Sequence, residues 1–95
     1  MYDDFYSDEI TRKLSKLRKK DSPQYNIVMK KIDSIISNPF HSYKNLHYSF
    51  KGTKRVHIGH FVLVFTVDHS RKIIMFDDYE HHDFVYNAKK SFPKK

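Results

Sequence analysis

Three histidines stand in the second half of the chain at positions where proton transfer is a plausible task. His57 alternates with the apolar residues Val56 and Ile58, while His81 and His82 are adjacent and precede Asp83. Imidazole changes charge near neutral pH, so a pair of imidazoles can supply both a general base and a general acid. In RNA, such a pair could take the proton of the 2′-hydroxyl and protonate the departing 5′-oxygen.

Three cations stand just before His57 and could bind a phosphate. They are Lys51, Lys54 and Arg55. Arg and Lys stabilise the charge that grows on a phosphate in the transition state of cleavage. Because the RNA hydroxyl is itself the nucleophile, this chemistry needs no Ser, Cys or metal ion. The alternative is that these cations form only a solvated strand face.

The same residues also allow structural interpretations. His60 is more simply a turn residue, Asp83 could cap a final helix, and Tyr86 could belong either to the site or to the core. A metal site is a further alternative, since imidazole and carboxylate are both suitable ligands. The dipeptide His81-His82 has no established ligand spacing, however, and we expect neither a metal nor another cofactor.

Length and charge indicate one small domain with an anionic partner. The chain has 95 residues, a formal net charge of +7 and no cysteine. This length predicts a single domain over residues 1–95. The charge favours a polyanion or an acidic protein as the partner. The absence of cysteine, of a signal-like start and of an apolar run of about 20 residues leads us to expect a cytoplasmic protein without a membrane association.

Hydrophobic periodicity predicts helices in the first half of the chain. A short strand is predicted over Met1–Tyr6, followed by Ser7 as a helix N-cap. Residues 8–38 show apolar positions at helical spacing, with a joint near Lys20–Ser22 and a stop at Asn38-Pro39. This pattern predicts an antiparallel helical hairpin.

The second half of the chain reads as an antiparallel meander. Strands are expected from about Tyr48, over Phe61–Val67 and over Lys72–Tyr79, with Gly59-His60 as a two-residue turn. A short helix is predicted from Asp83 to Lys90. The fold class is therefore α+β, with an N-terminal helical hairpin packed on a small antiparallel sheet and a short C-terminal helix. Such a meander would bring Arg55 and His57 towards the end of the last strand.

With these elements in place, the chain resembles the RelE/ParE superfamily of type II toxins over about residues 2–90. It is most similar to the RelE/StbE-like branch. The resemblance rests on an ordered set of short matches: Lys31-Ile32 before Asn38-Pro39, Leu46 with Lys51-Gly52, Arg55-Val56-His57-Ile58-Gly59, and Glu80-His81-His82-Asp83 before Tyr86.

The resemblance implies a toxin that cleaves messenger RNA on the ribosome, leaving a 2′,3′-cyclic phosphate and a 5′-hydroxyl. It places Arg55 and His57 where RelE-type toxins carry two basic strand residues beside the scissile phosphate. Tyr86 falls at a C-terminal tyrosine that acts in proton transfer. Either His81 or His82 falls at an arginine or histidine of the family.

One departure from the family bears on the mechanism. Many relatives carry arginine at the position of Val62, so this chain lacks one cation that would stabilise the phosphate. Its imidazoles then imply a more conventional acid–base scheme. The implied partners are a cognate antitoxin, the ribosome and its mRNA, with DNA reached only through the antitoxin complex.

Two other functions remain open from the sequence. A ParE-like toxin with this fold would inhibit DNA gyrase by protein binding, but such a surface has no need for convergent imidazoles. A plain RNA-binding domain is the third hypothesis. It is disfavoured because no strand carries the exposed aromatic residues on which RNA bases stack.

Overall fold

The computed structural model describes residues 1–45 and 52–83, which form two helices and five strands. In chain order the elements are β1 (Asp3–Tyr6), α1 (Asp8–Lys20), α2 (Ser22–Ser37), β2 (Lys44–Asn45), β3 (Thr53–Ile58), β4 (Phe61–Asp68) and β5 (Ile73–His81). The predicted α+β class, with a helical hairpin followed by a meander, is confirmed. The strand start at Tyr48 and nearly all of the helix predicted after Asp83 lie outside the described residues.

A single aspartate joins the two helices. Ser7 caps α1 as predicted, its hydroxyl oxygen accepting from the Ile10 backbone N–H at 3.1 Å. The Asp21 backbone N–H donates to the carbonyl of Leu17 at 2.8 Å, which closes α1. The Asp21 carboxylate accepts from the Gln24 N–H at 3.2 Å, which starts α2. One residue therefore serves as the end of one helix and the cap of the next, which makes the hairpin tight.

The five strands lie in the order β1-β5-β4-β3-β2. The pairs β2–β3, β3–β4 and β4–β5 are antiparallel, as the meander predicts. The pair β1–β5 is parallel, with Asp3 opposite Ile73. The sheet is therefore mostly antiparallel, as predicted, with one parallel pair at this edge. Both helices and strands β2 to β4 lie between β1 and β5 in the chain.

The core lies between the helices and one face of the sheet. Its fully buried side chains include Ile10, Val28, Ile32, Ile35, Leu63, Phe65, Ile74 and Phe76. The apolar stripes of both helices therefore face the sheet, as their spacing predicts. In the part of the chain that the structure describes, no helix is long and apolar enough to cross a membrane.

The turn between β3 and β4 fixes the end of the sheet that carries the histidines. Gly59 has φ +63°, while His60 has an ordinary negative φ, which is the pattern of a type II′ hairpin turn. The turn sets Ile58 opposite Phe61, and Phe61 lies opposite His81 on β5. The β3–β4 turn and the end of β5 are thus neighbours.

A β-bulge in β5 changes which side chains face the core. Val64 lies opposite Asp78 but Phe65 lies opposite Phe76, so Asp77 is the extra residue. Without it, simple alternation from Phe76 would put Tyr79 on the opposite face. With it, Phe76 and Tyr79 both join the core, and His81 follows Tyr79 on the same side.

Candidate functional site

Four imidazole rings meet at this end of the sheet, and we call them the histidine cluster: His57, His60, His81 and His82. The ring of His82 lies in the middle. Its centroid is 4.9 Å from that of His81, 6.4 Å from that of His60 and 6.4 Å from that of His57. The sequence prediction that His57 and the His81-His82 pair converge is matched by this arrangement.

His82 is held by the backbone of the neighbouring turn. Its backbone N–H donates to the carbonyl oxygen of His60 at 2.8 Å, and its Nδ1 lies 3.1 Å from the same oxygen. A carbonyl only accepts, so Nδ1 must carry the proton in this hydrogen bond. The other ring nitrogen, Nε2, lies 3.0 Å from Oδ1 of Asp83. Each ring nitrogen of His82 therefore has an acceptor atom within hydrogen-bond distance.

His81 has the opposite hydrogen-bonding pattern. Its Nδ1 accepts the backbone N–H of Asp83 at 3.2 Å, so this nitrogen carries a lone pair. Its ring meets Phe61 edge-on at a centroid distance of 5.6 Å, and Phe61 in turn stacks on Tyr79 at 4.8 Å. His81 therefore packs on the aromatic residues of the core side, while His82 turns towards His57.

His57 and Arg55 lie two residues apart on β3 and project from the face opposite the helices. His57 is exposed, whereas its neighbour Ile58 is buried, as the alternation predicts. Opposite His57 on β4 is Val62, which is fully buried. The position where many RelE-type sequences carry arginine is here an apolar contact in the sheet beside the candidate site.

The three cations predicted to bind phosphate do not form one described cluster. Lys54 and Arg55 are consecutive in β3, so their side chains leave opposite faces of the sheet. Both reach Asn45 at the end of β2: Lys54 Nζ donates to its Oδ1 at 2.8 Å, and Arg55 Nε donates to its backbone oxygen at 3.0 Å. Lys51 lies outside the described residues, as does Tyr86.

Asn45 and Lys13 are two residues near the site that the sequence analysis did not single out. Lys13 on α1 bonds the carboxylates of Asp78, at 2.7 Å, and Glu80 on β5, and lies 3.5 Å from Glu9. Burial alone would lower the pKa of Lys13, but the hydrogen bonds and charges of Asp78 and Glu80 raise it above its usual value. No periodicity connects Lys13 to a strand some 65 residues later, so only the fold reveals this pairing.

The bulge residue Asp77 is half-buried close to this network. Its Oδ2 accepts the hydroxyl of Thr66 at 2.8 Å. Burial raises the pKa of Asp77, the Thr66 hydrogen bond opposes this shift, and the charge of Asp78 adds to it. The ionised form of Asp77 is therefore disfavoured in the folded protein.

The His81-His82-Asp83 segment is also the one group of potential metal ligands found among residues 1–45 and 52–83. One ligand atom from each of the three side chains lies within 4.8 Å of the others. The arrangement can thus do two kinds of chemistry. It can move protons between imidazoles, or it can present nitrogen and oxygen ligands to a cation.

Comparison with known proteins gives two close relatives in sequence. A protein of Methanocaldococcus jannaschii, named "Putative toxin RelE4", is 43% identical over 93 residues, which span 97% of this chain and 98% of that protein. A protein of Methanosarcina mazei without an assigned function is 46% identical over 79 residues, covering 82% and 91% of the two chains. No protein-family profile matches the sequence.

Solved structures show the same fold at low sequence identity. The Staphylococcus aureus YoeB dimer matches with a TM-score of 0.73 at 17% identity, over 85% of this chain and 97% of that one. The toxin–antitoxin complex RelBE of E. coli matches at 0.69 and 13%, over 85% and 96%. The archaeal RelE–RelB complex of Pyrococcus horikoshii matches at 0.64 and 14%, over 84% and 93%.

Proposed function

The chain belongs to the RelE family of toxins, and from that membership we propose that it is a ribosome-dependent endoribonuclease that cleaves messenger RNA. The products would be a 2′,3′-cyclic phosphate and a 5′-hydroxyl. The reaction would need no metal ion, because the 2′-hydroxyl of the RNA is the nucleophile. The fold alone does not choose this activity, since one fold can carry several functions.

The observation that carries the proposal is the placement of His57 beside His82, with Arg55 on the same strand face as His57. The two rings are 6.4 Å apart, centroid to centroid. A base and an acid that each reach about 2.6–3.2 Å to opposite oxygens of one phosphate must stand several ångströms apart. The separation of these two rings suits that task, and the Arg55 guanidinium would neutralise the phosphate.

The hydrogen bonds of His82 support a division of roles. An acid has to carry its proton before the reaction, and His82 has acceptors beside both ring nitrogens. His82 would therefore protonate the departing 5′-oxygen, and His57 would take the proton of the 2′-hydroxyl. His81, which packs on Phe61, is the weaker candidate of the pair.

The remaining roles come from the resemblance and from charge. Tyr86 would orient the substrate or exchange a proton, and Lys51 and Lys54 would bind the RNA backbone together with Arg55. Lys54 leaves the face opposite Arg55, so it would contact a different part of the strand from the scissile phosphate.

A cognate antitoxin is the second partner that we propose. Several structural neighbours are toxin–antitoxin complexes, among them RelBE of E. coli and YoeB–YefM of S. aureus. A net charge of +7 would attract both an acidic antitoxin and the ribosome. With these partners, the activity would lie in the cytoplasm.

The proposal is tested by growth arrest and by mapping cleaved mRNA on purified ribosomes. His57→Ala and His82→Ala should each lower the cleavage rate on the order of 10²–10⁴-fold, while ribosome binding changes little. His60→Ala is the matched control, because the hydrogen bonds that hold His82 go to the backbone carbonyl of His60, which the substitution keeps. Folded variants of His57 and His82 that stay fully toxic would refute the acid–base assignment and favour a gyrase-directed, ParE-like target.

A further inference from the structure

We propose that His81, His82 and Asp83 form a binding site for a divalent transition-metal ion, and that an ion bound there stops RNA cleavage. The site itself rests only on the geometry of these three residues. The inhibition rests in addition on the proposed function, because it requires His82 to act in proton transfer.

The three side chains already hold their ligand atoms close together. His82 Nε2 lies 3.0 Å from Asp83 Oδ1, and His81 Nδ1 lies 3.9 Å from Asp83 Oδ2. Zn–N and Zn–O bonds of about 2.0–2.2 Å require neighbouring ligand atoms roughly 3–4 Å apart. The two spacings to Asp83 match this requirement, and all three ligand atoms lie within 4.8 Å of one another, so side-chain rotations would complete the site. The weak hydrogen bond from the Asp83 N–H to His81 Nδ1 would be exchanged for the metal bond.

The orientation of His82 is the second and independent argument. A histidine that binds a metal usually donates its other ring N–H to a carbonyl or carboxylate, which fixes the tautomer and aims the free nitrogen at the ion. His82 has this arrangement: Nδ1 donates to the backbone carbonyl of His60, and Nε2 points towards Asp83. A hydrogen bond to a backbone carbonyl survives side-chain changes in the turn, so the ring is held in advance.

The ligand types select the ion. Two imidazoles and one carboxylate suit Zn²⁺, whereas Mg²⁺ prefers oxygen ligands and gives up its water reluctantly. Zn²⁺ is redox-inert and accepts a fourth ligand from water, which a site on the surface can supply. The side chains are exposed by 44% for His81, 38% for His82 and 71% for Asp83, so the ion would enter directly from solvent.

Occupation of the site and acid catalysis exclude each other. A metal ion takes the lone pair of a deprotonated ring nitrogen, and this is the nitrogen of His82 that would otherwise carry the transferable proton. Zinc bound at His82 therefore leaves the cleavage reaction without its proposed acid. Release of the ion would restore the enzyme, since no covalent bond changes.

The site is tested on the full-length protein by calorimetric titration with ZnCl₂ and, separately, with MgCl₂. We expect one Zn²⁺ per chain and no heat from Mg²⁺. His81→Ala and His82→Ala should each weaken zinc binding at least about tenfold. Loss of a residue that only hydrogen-bonds to a metal ligand already lowers metal affinity by about 10–100-fold. His69→Gln is the control, since it removes an imidazole from the opposite end of β4 and should leave binding unchanged. Circular dichroism checks that every variant is folded.

Three results would overturn the site. They are no zinc binding by the folded wild type, equal binding by the His81 and His82 variants, and zinc held only between two chains, which sedimentation would reveal.

The inhibition is measured separately, as the ratio of mRNA cleavage with and without zinc. Asp83→Asn should raise the zinc concentration needed for half-inhibition. If zinc binds but the wild type cleaves no RNA even without it, the proposed function fails while the metal site stands. Full cleavage at saturating zinc would instead refute the inhibition.

Discussion

His82 and His60 are joined twice, since both the backbone N–H and the ring Nδ1 of His82 bond the carbonyl oxygen of His60. The oxygen belongs to the backbone, so its position depends on the turn geometry and not on the His60 side chain. The last residues of the sheet are thus aligned by the β3–β4 turn.

This alignment predicts that Gly59→Ala disturbs the site more than His60→Ala. Gly59 has φ +63°, where an L side chain is strained even though a Cβ would meet no atom within 4 Å. The substitution should cost about 1 kcal/mol of stability and displace the His60 carbonyl from His82. Thermal melts and the cleavage assay measure both effects. Equal, wild-type behaviour of the two variants would show that the turn does not align His82.

Arg55 and Lys54 should differ in their effect on RNA cleavage, because they leave opposite faces of β3. We expect Arg55→Ala to reduce cleavage strongly and Lys54→Ala to reduce it little. If each cation contacts a phosphate, each loss should lower the slope of log affinity against log salt by roughly 0.7–0.9. Binding to RNA or ribosomes between 50 and 200 mM salt gives the slope. An unchanged slope for both variants would mean that neither cation contacts a phosphate.

Lys13→Met should destabilise the fold, because it leaves the carboxylates of Asp78 and Glu80 close together without their cation. The side chain of Lys13 is only 23% exposed. We expect a loss of about 1–2 kcal/mol, or about 5–15 °C in Tm for a domain of this size. Lys16→Met on the same helix is the control, since Lys16 is exposed. Equal Tm values for the two variants would contradict the structural role of Lys13.

The pH dependence of this effect has a definite sign. The pKa of Lys13 is raised in the folded protein above its ordinary value of 10.5. Its contribution to stability is therefore complete below pH 10.5 and is lost as the pH rises through the folded value. The Tm difference between wild type and Lys13→Met should shrink above pH 10.5, which melts in alkaline buffers will test.

Asp77→Asn should stabilise the protein at neutral pH. Burial raises the pKa of Asp77, so ionisation of this carboxyl opposes folding. The asparagine can still accept the Thr66 hydroxyl, and it removes the repulsion from Asp78. The gain in Tm should vanish as the pH falls below 3.8, where the carboxyl is protonated in both the folded and the unfolded state. A lower Tm at neutral pH would contradict it.

The sequence predicted the elements whose signals are local. Ser7, Pro23 and the stop at Asn38 define the hairpin, and Gly59 marks the turn. It could not predict the parallel pairing of β1, because Asp3–Tyr6 carries no feature that identifies a partner so far along the chain. The same holds for Lys13, whose carboxylate partners lie on β5.

The candidate site was predictable in part. Alternation placed His57 outside the core. The predicted meander brought it towards the His81-His82 pair at the end of the last strand. The sequence could not show which of His81 and His82 turns towards His57, because the extra residue at Asp77 reverses the alternation of everything that follows it. Alternation would also have predicted that Lys54 and Arg55 lie on opposite faces of the sheet. That prediction requires knowing that one strand includes both residues.

The parallel pairing of β1 with β5 has a consequence for a chain that is still being synthesised. β1 and α1 are made first, yet their partners on β5 are about 70 positions later, from Ile73 to Glu80. A contact across so long a loop forms late, because the closure entropy is lost before the contact stabilises the fold. The nascent polypeptide therefore remains open until β5 has left the ribosome. Any activity that needs His82 fixed against His60 begins only after translation has passed both residues.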